Sequence, residues 1–433
     1  MEYLQEITAA HSDPRRLEGL YQAARRARRL AEFTAGVQAC YAQAPDNVLY
    51  AAWHCRLQPA VEEARGALLS GAWRVAIPLS LATGLIFALL VGTQWDVALE
   101  MLFLTLAWAP IAGLAIITFL ALAGAQERRQ VALAASGLLV LGGYGVAWAI
   151  PPVRESYRTL MMLHLPLLAW IAVGLSAVGL RSDRENLFAV MAKSLEVIIT
   201  GGIYVLAGGL FAAITFGMFA ALAVEFPEWL MRLLLAGGGG LIPVLAVATV
   251  YDPRLRPIEQ RFEEGLGKLL PTLTRLLLPL ALLILAAYVV AMLANFFQPF
   301  RDRDLLIVYN VMLFTVMGLL VGAAPVHGQD LAPRHRALLR AGLLALAALA
   351  IAASLHALAA VVYRTILGGL TPNRLTVIGW NGINIALLGL LVWRDLRQGQ
   401  GAWPGSLQSV AALGAIAYTV WTVFLIVALP WLF

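Results

Sequence analysis

The sequence predicts an all-α fold: a polytopic transmembrane helical bundle of about eleven spans with an N-terminal cytosolic helical hairpin. Three observations predict it. The first is composition. Of 433 residues, 61% are apolar and only 13% are charged, about half the ~25% usual for a soluble domain, and the mean hydropathy is +0.79. This excludes a disordered chain, a nucleic-acid module and an ordinary soluble enzyme as the main body. The second is that the apolar residues gather in eleven windows free of Asp, Glu, Lys and Arg: 75–93, 101–124, 131–150, 159–180, 197–224, 233–251, 276–300, 305–323, 341–363, 375–393 and 405–433. At 1.5 Å per residue each is long enough to cross about 30 Å of hydrocarbon. Barrel strands would instead alternate over about ten residues, so these are helices. The third is that the cations crowd the loops on one side.

Residues 1–74 are mostly polar, and no cleavable leader is visible in them, so the first window is expected to remain as a span. Leu17, Leu20, Ala24, Ala27 and Ala31 recur at helical spacing, with Arg25, Arg26, Arg28 and Arg29 opposite. A second helix is expected from about Pro45 to Leu69. The stretch Ala39–Asn47 looks like the seam of a tetratricopeptide-type helix pair, but one such unit does not bury its own face. The expected form is therefore an amphipathic hairpin against the inner membrane face or the bundle, its arginines near anionic headgroups. Cys40 and Cys55 are expected as free thiols, and His54 beside Cys55 as helix packing.

Residues 75–250 then carry six spans and 276–433 five. The linker 251–275 opens on the turn signal Asp252-Pro253. Pro257 is well placed to start a short amphipathic helix, with Ile258, Phe262, Leu266, Leu269 and Leu270 on one face. No convincing repeat relates the two sets of spans, so an inverted-repeat transporter is not indicated.

With the N-terminus inside, the inner segments hold 23 cations and the outer ones six. The positive-inside rule then puts residues 1–74 in the cytoplasm and Phe433 outside. Only Lys193 and Lys268 are lysines. That bias reads as a GC-rich genome. Its functional reading is anion recognition, for which the planar guanidinium is suited.

The six outer cations are Arg154, Arg158, Arg301, Arg303, Arg364 and Arg374. They either pair with Glu155, Asp302 and Asp304 or form an outward-facing site for an anionic lipid or small solute. Thr371 is suited to N-cap the helix that follows, with Pro372 at its first position; Gly368-Gly369 lets the chain turn, and Arg364 and Arg374 are expected to converge there. Within the windows the polar candidates are His164, His356, Asn381 and Asn384, read first as interhelical hydrogen-bond partners. No acid or lysine lies mid-window; Glu100 and Glu196 stand at borders. Gly237, Gly238, Gly239 and Gly240 allow either close helix approach or a broken helix lining a cavity. No Ser–His–Asp arrangement, metal cluster or phosphate loop is present. The acidic pair Asp302–Asp304 is flanked by arginines, so no catalytic residue, metal or cofactor is expected.

Tyr363-Arg364 followed by Gly369-Leu-Thr-Pro-Asn-Arg374 at the head of a span is the most distinctive stretch. With it, and more weakly with Gly201-Gly-Ile-Tyr-Val205, the C-terminal half from about Leu187 to Phe433 resembles the bacterial multi-pass membrane family known as domain of unknown function 4153. That resemblance implies a polytopic inner-membrane protein and supplies no activity or cofactor. The functional expectation is a transport-like or ligand- and lipid-binding membrane protein, with membrane lipids as partners. Alternatives are an accessory or scaffold subunit, joined to another membrane protein or to a cytosolic partner through residues 1–74, and an intramembrane lipid-group transferase. Nucleic acid is not expected as a partner.

Overall fold

The computed structural model describes residues 2–26, 29–91, 103–124, 126–150, 155–179, 183–221, 227–262, 266–301, 304–324, 333–398 and 403–433. They are helices joined by short turns, with no strand among the described residues. The chain divides into two compact units, Met1–Trp73 and Arg74–Phe433.

The first unit holds more than the expected hairpin. It contains α1 (Glu2–Ala9), α2 (Pro14–Arg26), α3 (Leu30–Gln43) and the start of α4 (Val48–Leu90). Local chemistry sets the breaks. Asp13 caps α2, its Oδ1 accepting from the N–H groups of Arg15 and Arg16 at 3.0 and 3.1 Å, with Pro14 at the first helical position. Asn47 caps α4 through Leu49 N and Tyr50 N at 2.9 and 3.2 Å, and its Nδ2 donates to His11 O at 3.0 Å. The extra helices let the unit bury its own apolar face. Ile7, Leu17, Ala24, Phe33, Val37 and Trp53 form a core, and the Phe33 ring meets Tyr3, Tyr21 and Trp53 edge-on at about 6 Å. Cys40 is buried, Cys55 is exposed, and both are free. His54 stacks on Tyr41 at 4.5 Å.

The second unit begins within α4. It continues through α5 (Trp108–Ala123), α6 (Arg128–Ala149), α7 (Glu155–Val178), α8 (Arg184–Ala221), α9 (Gly238–Val250), α10 (Leu266–Ala294), α11 (Asp304–Ala323), α12 (Pro333–Gly368), α13 (Pro372–Gln398) and α14 (Trp403–Leu432). Among the described residues, ten helices are long and apolar enough to cross a membrane. A shorter apolar stretch, Met312–Ala323, lies in α11, where the eighth window falls. The chain is a multi-pass integral membrane protein. α5, α6, α7 and α9 pack on one another, as do α10 to α13; α8 and α14 touch both groups. The second group has a core of Leu313, Val316, Leu320, Leu346, Leu388 and Val410.

Span ends explain several arginines. The last carbonyls of a helix lack intrahelical donors and carry partial negative charge. Arg254 Nε donates to Ala123 O at the end of α5 at 3.3 Å, and Arg275 Nε to Ala323 O at the end of α11 at 3.1 Å. Arg374 Nη1 donates to Gly369 O just past α12, where Gly369 takes a φ of +76° that favours glycine. Pro430 in α14 has no N–H to give Ile426 O, and Tyr157 OH fills that role at 2.8 Å.

Two expectations are corrected. Among the described residues no α-helix starts at Pro257; a 3-10 turn, Pro257–Glu259, stands there, and α10 starts at Leu266. The reason is that the polar backbone of the linker is bonded elsewhere. Gln260, buried, accepts from Asp252 N at 2.9 Å and donates to Asp252 O at 2.7 Å. Gln126 Nε2 donates to Pro253 O at 2.8 Å, and Ile258 N to Asn186 Oδ1 at 3.0 Å. The second correction concerns Gly237–Gly240, which do not break the helix. A π turn, Leu233–Gly237, leads directly into α9. Gly237 and Gly240 let α4 approach: a Cβ on Gly84 would lie 2.7 Å from Gly237 O, and one on Gly240 would lie 2.8 Å from Gly84 Cα. Gly238 and Gly239 face open space.

Candidate functional site

The outer arginines do not assemble into one site among the described residues. Arg154 and Arg303 lie outside them, and of Arg301 only the backbone is described. Arg158 is half-buried on the first turns of α7. Arg374 folds back onto Gly369 O, while Thr371 Oγ1 accepts from Arg374 N at 3.3 Å as the cap of α13. Arg364 is half-buried, and its Nη1 is buried without a hydrogen-bond partner among the described residues.

Three of the four intramembrane polar candidates bond to other elements. His164, on α7, has Nδ1 2.7 Å from Leu160 O and Nε2 3.2 Å from Trp380 Nε1 of α13. A carbonyl only accepts and an indole N–H only donates, so the proton sits on Nδ1 and the ring is neutral. Both nitrogens are occupied, which leaves no lone pair for proton transfer. His356 Nε2 donates to Phe296 O at 2.9 Å and lies among the rings of Phe296 and Phe300. Asn381 Nδ2 donates to Val377 O at 2.9 Å. Asn384 Oδ1 accepts from Tyr418 OH of α14, tying α13 to α14.

Two ion pairs escaped the sequence reading, one buried and one half-buried. Lys193 Nζ and Glu196 Oε2 of α8 are 2.8 Å apart with both side chains 4% exposed. The ammonium also donates to Arg261 O and sits 4.7 Å from the Phe262 ring centre. The spacing of three was visible; the burial comes from a loop more than sixty residues away. Arg340 of α12 grips Asp395 of α13 in a two-toothed pair, Nε–Oδ1 2.9 Å and Nη2–Oδ2 2.6 Å.

Two clefts among the described residues are apolar. One narrow cleft lies between α5, α7, α8 and α9, walled by Leu120, Trp170, Val173, Gly174, Val190 and Val247, with Lys193, Ser194 and Tyr251 also among its lining. Another lies between α8, α11, α13 and α14, walled by residues such as Met191, Met317, Leu388 and Val410, with Tyr418 also among its lining. Both border the first half of α8. Among the described residues no three His, Cys, Asp or Glu side chains gather as metal ligands. Such walls suit hydrocarbon.

No family model, curated protein or solved structure matches this chain.

Proposed function

We propose that this integral membrane protein is a lipid-binding protein of the bacterial inner membrane, whose clefts beside α8 take acyl chains. The reading moves the lipid from the outer arginines to the interior. The observation that carries it is the pair of narrow apolar clefts beside α8, in a bundle whose interior histidines are spent on helix contacts.

Gly174→Leu tests it. A Cβ at Gly174 would meet only Val190 Cγ1, at 3.7 Å, so the longer side chain enters the cleft without a backbone clash. Native mass spectrometry of protein purified in mild detergent is expected to show phospholipid adducts on the wild type, on Arg364→Ala and on Arg374→Ala. They should be depleted on Gly174→Leu. Equal adducts on all four would overturn the reading; loss only on the arginine variants would return the site to the outer loops.

A second reading, an accessory subunit docked on another membrane-spanning chain, is favoured by one feature. From residue 201 to 221, α8 is exposed on nearly every face, and Gly202, Gly208, Gly209 and Gly217 have no neighbour within 4 Å. Glycine costs about 1 kcal/mol relative to alanine in a helix, a cost that close approach of another helix offsets. Cysteine crosslinking from position 209 in native membranes tests it, and a chain that crosslinks to nothing counts against it.

A further inference from the structure

We infer that the open face of α2 docks on an anionic phospholipid surface, with Arg15, Arg16 and Arg25 as its contacts; this is independent of the clefts. The first unit keeps its apolar side chains for its own core. Leu17 and Ala24, on the inner side of α2, are fully buried there. Among the described residues of the unit, Val48 alone of the large apolar side chains stands exposed. Membrane contact through this unit is therefore electrostatic, unlike the insertion of an amphipathic helix.

Arg15, Gly19, Gln22 and Arg26 recur at spacings of four, three and four along α2 and so share a face, with Arg16 and Ala23 beside them and Arg25 on the flank. Arg15, Arg16, Gly19, Ala23 and Arg25 are exposed. The acid within α2, Glu18, is already engaged: its carboxylate accepts from Gln22 Nε2 at 2.8 Å and from Arg56 Nη1 at 2.6 Å. Asp13, before the helix, turns its Oδ1 to the backbone N–H groups of Arg15 and Arg16. Two other arginines of the unit give the contrast. Arg29 pairs with Glu32 at 2.7 Å and lies over the Tyr3 ring, and Arg56 lies 4.5 Å from the centre of the Trp53 ring. The guanidinium groups of Arg15, Arg16 and Arg25 have no ion pair or hydrogen bond among the described residues.

Charge and tethering select the partner. The unit ends at Trp73 and the first span runs from Ala72 to Leu90, so the chain keeps the unit within reach of the headgroups, and a tethered surface needs little affinity to be occupied. A basic patch beside a span is attracted to anionic lipid by about fivefold per arginine, so these together favour the docked unit about a hundredfold. The attraction is confined to a Debye length, about 10 Å at 0.1 M salt and about 3 Å at 1 M.

The test uses full-length protein with Gly19→Cys in a Cys55→Ser background. A donor dye is attached at position 19, where a Cβ meets nothing within 4 Å. Cys40 is buried, and its failure to label reports that the unit is folded, which keeps loss of fold apart from loss of docking. The protein is placed in nanodiscs of phosphatidylcholine alone or of an equal mixture with phosphatidylglycerol, each with the same trace of acceptor-labelled headgroup. Energy transfer is read at about 0.1 M and about 1 M salt. Transfer is expected to rise with phosphatidylglycerol at low salt and to return to the phosphatidylcholine level at high salt. Arg15→Gln with Arg16→Gln and Arg25→Gln should remove the rise. Arg128→Gln with Arg129→Gln, exposed at the start of α6, should keep it. Transfer that ignores phosphatidylglycerol overturns the proposal, and so does a rise that survives the triple change. A rise that the Arg128 and Arg129 changes remove as fully overturns it too, because net charge and not the α2 face would then be responsible.

Discussion

The two halves of α8 belong to one continuous helix and have opposite surroundings. Up to Thr200 it is built in: Asn186, Phe188, Ala189, Ala192, Lys193, Glu196 and Thr200 are buried, and Phe188 joins the core of the second helix group. Beyond it Leu206, Leu210, Phe211 and Met218 are each more than half exposed. The difference teaches where this bundle gets its specificity. Apolar side chains alone do not distinguish protein from lipid, since hydrocarbon solvates them equally well. The first half is held by several polar bonds that only protein supplies; the second has the contact of Tyr204 OH with Thr249 Oγ1 of α9 at 2.7 Å near its start and lies largely open to whatever surrounds it.

The largest effect is expected from breaking the buried pair. Glu196→Ala strands the Lys193 ammonium among Phe262 and backbone, and the loss of one partner of a buried pair costs about 3–5 kcal/mol. Unfolding midpoints in detergent should fall accordingly. Replacing both partners, Lys193→Met with Glu196→Leu, should recover most of the loss, because the desolvation cost leaves with the charges. A double variant as unstable as the single would show that Arg261 O and the loop, rather than the ion pair, hold the first half in place.

Glycine substitutions come next and contrast packed helix with open helix. Gly84→Ala would drive a methyl against the Gly237 carbonyl, and overpacking of that kind costs about 1–3 kcal/mol. Gly209→Ala meets nothing within 4 Å and should leave the purified chain unchanged or slightly more stable, by up to about 1 kcal/mol from helix propensity. The same change measured in native membranes sharpens the contrast. A destabilisation seen only there would mean that a partner helix uses the open glycine face.

Much of the fold was legible because lipid imposes a coarse rule. A span must be long, apolar and free of charge, so the windows and the helices coincide. The Thr371-Pro372 cap was legible because capping is decided within four residues. Leu17 and Ala24 pointed to a buried face, but their spacing says nothing of how many helices cover it, and the breaks at Asp13 and Asn47 turned an expected hairpin into a small helical unit. The linker misled for a related reason. Ile258, Phe262 and Leu266 sit at helical spacing, yet Gln126 and Asn186, remote in sequence, capture its backbone. Lys193 and Arg340 looked like loop charges counting toward orientation; their partners became visible only in three dimensions. The clefts left no trace, because Leu, Val and Gly line gaps and fill cores alike.

The smallest effect comes from the exposed counterpart of the buried pair. Arg256 and Glu259 share the spacing of three that Lys193 and Glu196 have, and their contact is as short, 2.6 Å, but their side chains are 70% and 43% exposed. Hydrogen bonds from the Arg256 side chain and backbone N–H hold the Glu259 carboxyl below its ordinary value. A carboxyl depressed in the folded state adds stability that is complete above its unfolded value, about 4.3, and is lost as the pH falls through the lower folded one. Wild type and Glu259→Gln should therefore differ slightly in unfolding midpoint at pH 7 and converge as the pH drops below about 4. Solvent screening keeps the gap small, well under that of Glu196→Ala. A gap at pH 7 as large as that of the buried pair would mean that the 3-10 turn, and not the buried ammonium, anchors the loop against α8.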